Sequence, residues 1–188
     1  MTDLTARHLS YDELELGLPD VLGAPSDVGI VELIVRRPVE DGRELLEAGE
    51  LDPAWGLVGD TWSERYNRFS PDGTPDPDAQ LNVIGARFSR ALSADPDRRA
   101  LTGDQLHLDL DLSQSNLPTG TRLALGSAVI EVTAKPHKGC AKFSARFGPD
   151  AMRFVNSAEG RSLRLRGLNA RVVVAGAVRV GDVVRKLP

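Results

Sequence analysis

A single cysteine with basic neighbours is the part of this sequence best suited to chemistry. Cys140 lies between Lys138 and Lys142, and His137 precedes it by three residues. The segment leaves a predicted strand, turns at Pro136 and enters a predicted helix at the cysteine. Positive charge and a helix N-terminus both favour a thiolate over a thiol. A thiolate can act as a nucleophile, carry a persulfide or ligate a soft metal. We therefore predict that Cys140 is the reactive residue and that His137 tunes it or carries protons.

Each of these residues also has a purely structural interpretation. A lone cysteine is commonly a small buried hydrophobe, and a lone histidine such as His137 is commonly a satisfied structural residue. One cysteine and one histidine do not supply the four ligands of a structural zinc site. A papain-type pair would need a second histidine in a supporting motif, and neither His8 nor His107 has one. The basic residues on both sides of Cys140 favour a reactive thiol.

Length and composition predict one folded domain in the cytoplasm. The chain has 188 residues, of which 41% are hydrophobic and 27% charged, enough for one buried core. No apolar stretch approaches the roughly 18 residues of a membrane span, and the acidic N-terminus lacks the apolar region of a secretory signal. A single cysteine cannot form an internal disulfide, so a cytoplasmic location is expected.

The net charge of −4 hides an uneven distribution. Residues 135–188 carry twelve lysines and arginines against three acidic residues, and the rest of the chain is strongly acidic. Such a chain can present one basic face to an anionic partner, or its two halves can neutralise each other. The acidic total and the few aromatic residues in the basic part argue against a nucleic-acid-binding protein.

Hydrophobic patterning predicts many short strands and few helices. The predicted strands include 28–35, 81–84, a half-exposed 106–110, the hairpin 122–125 and 128–132, 163–165, 170–174 and 177–184. The predicted helices are 11–16, 43–48, 87–92, 95–101 and 149–156. This order indicates a mainly β protein with helical decorations, an α+β fold built on a β-barrel, and not a doubly wound α/β sheet.

The sequence resembles the MOSC domain, named for the C-terminal domain of molybdenum cofactor sulfurases. The motifs that carry the resemblance occur in the family's order: 59–62 (GDTW), 109–118 (DLDLSQSNLP), 126–133 (GSAVIEVT), 136–140 (PHKGC) and 180–182 (VGD). The likeness is to small stand-alone bacterial members and covers about residues 28–187. It implies a MOSC-type β-barrel over 28–188, preceded by an N-terminal extension over 1–27.

The resemblance also implies a role linked to the molybdenum cofactor. Cys140 would carry a persulfide, as in the sulfurases, or ligate molybdenum, as in relatives that reduce N-hydroxylated compounds. The cofactor is a phosphorylated pterin, so basic and polar side chains are expected to bind it. The candidate cofactor-binding residues are Lys138, Lys142, Arg146, Asn116, Ser115, Arg161, Arg166 and Arg87. Each basic residue has an alternative as a surface charge, and the turn residues Ser115 and Asn116 have one as caps of backbone groups.

Two departures from the family bear on partners. The sulfurases carry a pyridoxal phosphate domain that 188 residues leave no room for, so a sulfur carrier would depend on a separate cysteine desulfurase. The amidoxime-reducing relatives have a longer N-terminal region that takes part in cofactor binding, whereas only the acidic segment 1–27 precedes the domain here. The resemblance also implies an electron-transfer or molybdoenzyme partner. The alternative function is a non-catalytic interaction module that docks a partner through its basic face. We expect neither nucleic acid nor a membrane as partner.

Overall fold

A closed seven-stranded β-barrel forms the centre of the protein. The computed structural model describes residues 7–67 and 70–188. Within these ranges the strands are β1 (Val28–Arg36), β2 (Glu44–Leu46), β3 (Ala48–Asp52), β4 (Gly56–Leu57), β5 (Leu81–Gly85), β6 (Leu106–Asp109), β7 (Arg122–Leu125), β8 (Ala128–Val132), β9 (Leu168–Val174), β10 (Gly176–Arg179) and β11 (Val183–Lys186). The barrel runs in the order β11-β7-β8-β9-β5-β6-β1 and closes where β1 pairs with β11. The β5–β6 pair is parallel and the other pairs are antiparallel, so the barrel is mixed. The predicted β-barrel with helical decorations is thus confirmed.

Short helices cover one side of the barrel. They are α1 (Tyr11–Leu16), α2 (Leu18–Leu22), α3 (Ala86–Leu92), α4 (Pro96–Ala100), α5 (Ala141–Phe147), α6 (Pro149–Asn156) and α7 (Ala158–Ser162). No helix in the described ranges is long and apolar enough to cross a membrane. The first hydrophobic core fills the barrel, and a second core of phenylalanine and leucine side chains lies between the barrel and the helices. Helix α1, which lies in the predicted extension, buries Leu14 in this second core; residues 1–6 of that extension fall outside the described ranges.

Four local predictions were wrong, two of them because long-range contacts override the local pattern. The predicted strand 177–184 is divided into β10 and β11 by a turn at 180–181. Residues 43–48 form β2 and the start of β3 instead of a helix, since β2 pairs with β1 and β3 with β10. Residues 163–165 form a turn, in which Arg164 has a left-handed φ of 50°. Strand β6 is buried and not half-exposed, because α3 packs on it and Ser89 hydrogen-bonds His107.

Candidate functional site

Cys140 occupies the position that the sequence predicted, at the start of a helix. It is the N-cap residue of α5, its carbonyl accepts the first helical hydrogen bond from Ser144 N at 2.9 Å, and the cysteine is exposed. The preceding Gly139 lies so close to α6 that an added Cβ would be 2.7 Å from the sulfur of Met152. Asn156 of α6 also accepts a hydrogen bond from Gly139 N at 3.3 Å. The cysteine is therefore a solvent-accessible thiol on a loop fixed against a helix.

A buried carboxylate holds His137 in place. Asp104 is fully buried and lies 2.8 Å from His137 Nε2, and Arg166 donates to both of its oxygens at 2.9 and 2.7 Å. Burial alone would raise the pKa of Asp104, but the charge of Arg166 and the contact with His137 outweigh it and hold the pKa below its ordinary value. Asp104 is thus an anion that fixes the imidazole three residues before the cysteine.

Burial also sets the charge of the imidazole. It lowers the pKa of His137, and the nearby Arg166 lowers it further, against the opposing effect of Asp104. His137 is therefore neutral at pH 7. Because ionised Asp104 can only accept, Nε2 carries the proton and Nδ1 carries the lone pair. The arrangement produces a base with a fixed orientation three residues before Cys140.

Three arginines converge on a pocket of about 380 Å³, which we call the arginine pocket. Arg37, Arg43 and Arg65 line it together with Val39, Glu40, Asp41, Thr61 and Glu64. A bidentate ion pair with buried Asp60 fixes the guanidinium of Arg37. Its Nε and Nη2 donate to the two carboxylate oxygens at 2.8 and 2.7 Å. Neither Arg43 nor Arg65 makes an ion pair within the described part of the chain.

Arg43 and Arg65, which have no ion pair in the described part of the chain, are partly buried and carry a desolvation penalty. Burial, together with the charges of Arg146 and Arg37, lowers the pKa of Arg43 to about 10. Burial likewise lowers the pKa of Arg65. The Nε of Arg43 is buried and has no hydrogen-bond partner among the described residues. Cations placed in this way favour an anionic ligand.

Two tethers connect the arginine pocket to the cysteine segment. After the cysteine, Lys142 contacts Asp41 at 3.2 Å and Arg146 contacts the same carboxylate at 2.7 Å. Before the cysteine, His137 binds Asp104, whose neighbour Gly103 accepts a hydrogen bond from Arg37 at 3.0 Å. Both Arg37 and Asp41 line the arginine pocket, so the segment that carries Cys140 is connected to its lining by direct ion pairs after the cysteine and through Asp104 and Gly103 before it.

A second basic cavity, of about 230 Å³, lies beside residues 133–138, in the part of the chain that precedes Cys140. It is lined by Gln114, Thr119, Thr133, Ala134, Lys135, Pro136, His137, Lys138, Val155, Gly160, Arg161, Arg164, Arg166, Gly167 and Leu168. We call it the lysine–arginine cleft. Three of the predicted cofactor-binding residues, Lys138, Arg161 and Arg166, lie here.

The other predicted cofactor-binding residues lie outside the lysine–arginine cleft. Lys142 and Arg146 form ion pairs with Asp41, which lines the arginine pocket. Arg87, which pairs with Asp109 at 2.7 Å, and Ser115 line a separate groove near α2. Asn116 uses its side chain internally: its amide donates to the carbonyls of Ser26 and Asp111, each at 2.8 Å, and its oxygen accepts from Lys186.

Sequence reasoning missed Asp104 and the arginine pocket. The chain offered a weak signal for the pocket, because Arg37 and Arg43 follow the first strand closely. Arg65, however, is distant in sequence, and Asp60 follows Gly59 in a pair that is typical of a turn. Nothing local distinguishes Asp104 from the other acidic residues of the chain.

Comparison with known proteins identifies the family and the fold. A family model described as "MOSC domain" matches residues 78–185. The solved structure of the YuaD protein from Bacillus subtilis is 15% identical, covers 84% of this chain and 94% of that one, and superposes with a TM-score of 0.58. YiiM from Escherichia coli is 18% identical, with coverage of 85% and 70% and a TM-score of 0.55. YiiM from Geobacillus stearothermophilus is 13% identical, with coverage of 88% and 75% and a TM-score of 0.52. A comparison with curated protein sequences gives no significant match.

Proposed function

The chain belongs to the MOSC domain family, and from that membership we propose that it binds the molybdenum cofactor through the sulfur of Cys140. Such a site needs a soft sulfur donor for the metal and a cationic pocket for the phosphate of the pterin. The position of Cys140 carries the proposal. It is an exposed thiol on a segment that pairs with Asp41 of the arginine pocket after the cysteine and with buried Asp104 before it.

The residues present fit the cofactor. Cys140 supplies the soft donor, and Arg43 and Arg65 supply cations for the phosphate. The buried Nε of Arg43 has no partner in the described ranges, which is what an anion-binding guanidinium would leave open. The acidic Asp41 at the rim is already paired with Lys142 and Arg146, so its charge is compensated. When bound, the cofactor would supply the redox chemistry of molybdenum.

The chain itself supplies a base and a positioning network. His137 holds its Nε2 proton against Asp104 and presents Nδ1 as the acceptor. It is suited to take the proton of the Cys140 thiol or of a substrate bound beside it. Arg166 keeps Asp104 ionised, which fixes the tautomer of the imidazole. Arg166 therefore acts through Asp104 as a positioning residue.

Sulfur carriage by the same cysteine is the second candidate function, and the exposure of Cys140 favours it. A separate cysteine desulfurase would present a persulfide, and the Cys140 thiolate would attack its terminal sulfur. A new sulfur–sulfur bond forms on Cys140 while the desulfurase cysteine leaves as a thiolate. Only a cysteine that a partner protein can reach supports this transfer.

Metal analysis of wild type and two variants tests the proposal. The protein is expressed in cells that make the cofactor, purified, and assayed for molybdenum and pterin. We expect near-stoichiometric molybdenum in wild type, none in Cys140→Ser and reduced pterin retention in Arg43→Gln. Arg36→Gln is the matched control, since Arg36 loses the same charge but pairs with Glu44 at 2.7 Å outside the pocket lining.

The same samples separate the two roles of the cysteine. Cyanide-releasable sulfur that depends on Cys140, without molybdenum, would replace the cofactor-ligand proposal with sulfur carriage. Absence of both molybdenum and releasable sulfur would leave the non-catalytic interaction module. Molybdenum-loaded protein can then be assayed for reduction of N-hydroxylated bases with a chemical electron donor, the reaction class that the family resemblance implies.

A further inference from the structure

The groove beside α2, which we call the α2 groove, lies at the opposite end of the β5–β6 pair from Asp104. Because β5 and β6 are parallel, their carboxyl ends meet. Gly85, the last residue of β5, and Leu110, which follows β6, both line the groove. Asp104 instead precedes β6, at the amino end of the pair. Neither Cys140 nor His137 is among the described residues that line the groove. The α2 groove is therefore a separate place in the fold from the cysteine segment.

The α2 groove has an apolar lining and a small volume. Its volume is about 250 Å³, below the roughly 300–1,000 Å³ of sites that hold drug-sized ligands. Gly85 leaves further space free, since a Cβ at this position would meet nothing within 4 Å. The buried apolar side chains of the lining are Phe88, Leu110, Leu112 and Leu165. The groove is therefore suited to a ligand with a short apolar body.

Arg164 brings an uncompensated positive charge to this groove. It makes no ion pair within residues 7–67 and 70–188, and burial lowers its pKa. Its Nη1 donates to the carbonyls of Leu112 and Leu117, at 3.4 and 2.6 Å. Its Nη2 makes no hydrogen bond in the described part of the chain. A half-buried guanidinium with a free edge favours a carboxylate as its partner.

Asp111 brings an uncompensated negative charge to the same groove. Its two oxygens accept hydrogen bonds from the backbone N–H and the hydroxyl of Ser113, at 2.9 and 3.1 Å. No cation pairs with it in the described ranges. The remaining charged residue of the lining, Arg87, already pairs with Asp109 at 2.7 Å. The groove therefore presents one cation and one anion that do not pair with each other.

We propose that the α2 groove binds an apolar α-amino acid of about the size of leucine. Its carboxylate pairs with Arg164, its ammonium group pairs with Asp111, and its side chain packs on the buried leucines and Phe88. An apolar acid would leave Asp111 without a counter-charge, and an apolar amine would do the same to Arg164. A zwitterion compensates both charges next to an apolar surface, where an unpaired charge is costly. The site is independent of the proposed cofactor site, because Cys140, Arg43 and Arg65 do not line it.

Calorimetric titration with leucine, on protein purified from cells that do not make the cofactor, tests the proposal. We expect saturable binding of one leucine per chain. Isocaproate has the same carbon skeleton without the ammonium group, and isoamylamine has it without the carboxylate. Each should bind about tenfold or more weakly than leucine, because each leaves one charge of the groove unpaired.

Two variants locate the binding. Gly85→Leu should abolish it, since the new side chain occupies the groove; the backbone of Gly85, φ −65° and ψ 126°, is open to any residue, and thermal unfolding checks the fold. Asp111→Asn should weaken leucine binding about tenfold or more and leave isocaproate binding no weaker. The matched control is Asp52→Asn, which loses the same charge. Asp52 also accepts a backbone hydrogen bond from two residues ahead, Ala54 N at 2.7 Å, and lies outside the groove.

Three results would overturn the proposal. The first is the absence of saturable leucine binding, or leucine binding that is unchanged in both Gly85→Leu and Asp111→Asn. The second is isocaproate or isoamylamine binding as tightly as leucine, which would exclude the zwitterion. The third is loss of molybdenum and pterin from folded Gly85→Leu expressed with the cofactor, which would assign the groove to the cofactor.

Discussion

The carboxylate of Asp104 lies 2.8 Å from Nε2 of His137, although 33 positions separate the two residues in sequence. Asp104 is fully buried and His137 nearly so. This contact gives His137, three residues before Cys140, one orientation and one tautomer. Arg166, which stacks over Phe143 at 5.0 Å, supplies the charge that makes the buried carboxylate tolerable.

Removal of this carboxylate should be strongly destabilising. Asp104→Asn leaves the buried guanidinium of Arg166 without a counter-charge, and breaking such a pair typically costs about 3–5 kcal/mol. The free energy of unfolding in urea measures the loss. The matched control is Asp76→Asn at the partly exposed pair with Lys135, where a loss below about 1 kcal/mol is expected. Equal losses in both variants would contradict the role given to Asp104.

The free energy of unfolding should decrease as pH is lowered from neutral to mildly acidic values. Burial lowers the pKa of His107 to about 4, with Arg99 and Arg166 contributing and Asp104 opposing. Between about pH 6.5 and 4 the unfolded chain binds a proton that the folded chain refuses, so the free energy of unfolding decreases as pH drops. The loss is on the order of 3 kcal/mol for His107, and the lowered pKa of His137 acts in the same direction.

Urea unfolding at several pH values measures this slope. His107→Gln retains a side chain that can hydrogen-bond Ser89 but does not titrate, so its slope should be shallower than that of wild type. Asp104 affects the free energy of unfolding only at lower pH. Its pKa is lowered in the folded protein, so its stabilising effect is lost as pH falls below the ordinary carboxyl range. An unchanged slope in His107→Gln would assign the pH dependence to other groups.

Gly139→Ala should impair the cysteine loop more than the whole fold. The added Cβ would lie 2.7 Å from Met152 Sδ and 3.0 Å from Asn156 Nδ2, so the loop must shift or these flexible side chains must give way. We expect a destabilisation of about 1 kcal/mol, together with a clear loss of molybdenum retention. Gly85→Ala, where a Cβ meets nothing within 4 Å, is the matched control and should retain the metal.

The thiol of Cys140 should react with a disulfide reagent in the native protein. Because the cysteine is exposed, we expect one thiol per chain to be labelled without denaturant, at a rate unaffected by low urea concentrations. Protein loaded with the cofactor should be protected, since the same sulfur would then be a ligand. Labelling that requires unfolding would contradict the exposed position on which both proposed roles depend.

Features set by neighbouring residues could be predicted from the sequence. The turn at Pro136 and the glycine before Cys140 indicated a helix start, and the cysteine is the N-cap of α5. Alternating residues on both sides of Gly126 indicated the β7–β8 hairpin, which is present with Leu125 opposite Ala128. Residues 149–156, which begin with proline, form the predicted helix α6. The motif order further indicated the MOSC family, which the family match confirms.

Only the tertiary structure decided which distant side chains meet. Arg166 reaches Asp104 across 62 positions, and Arg37 reaches Asp60 across 23, because strands from different parts of the chain pair in the barrel. The same pairing made residues 44–46 a strand despite their helical pattern. Local propensity is worth a few tenths of a kcal/mol per residue, whereas strand pairing and burial contribute more. The sequence therefore determined the helix start at Cys140 and its basic neighbours, and the folded barrel determined the buried carboxylate and the two basic cavities around it.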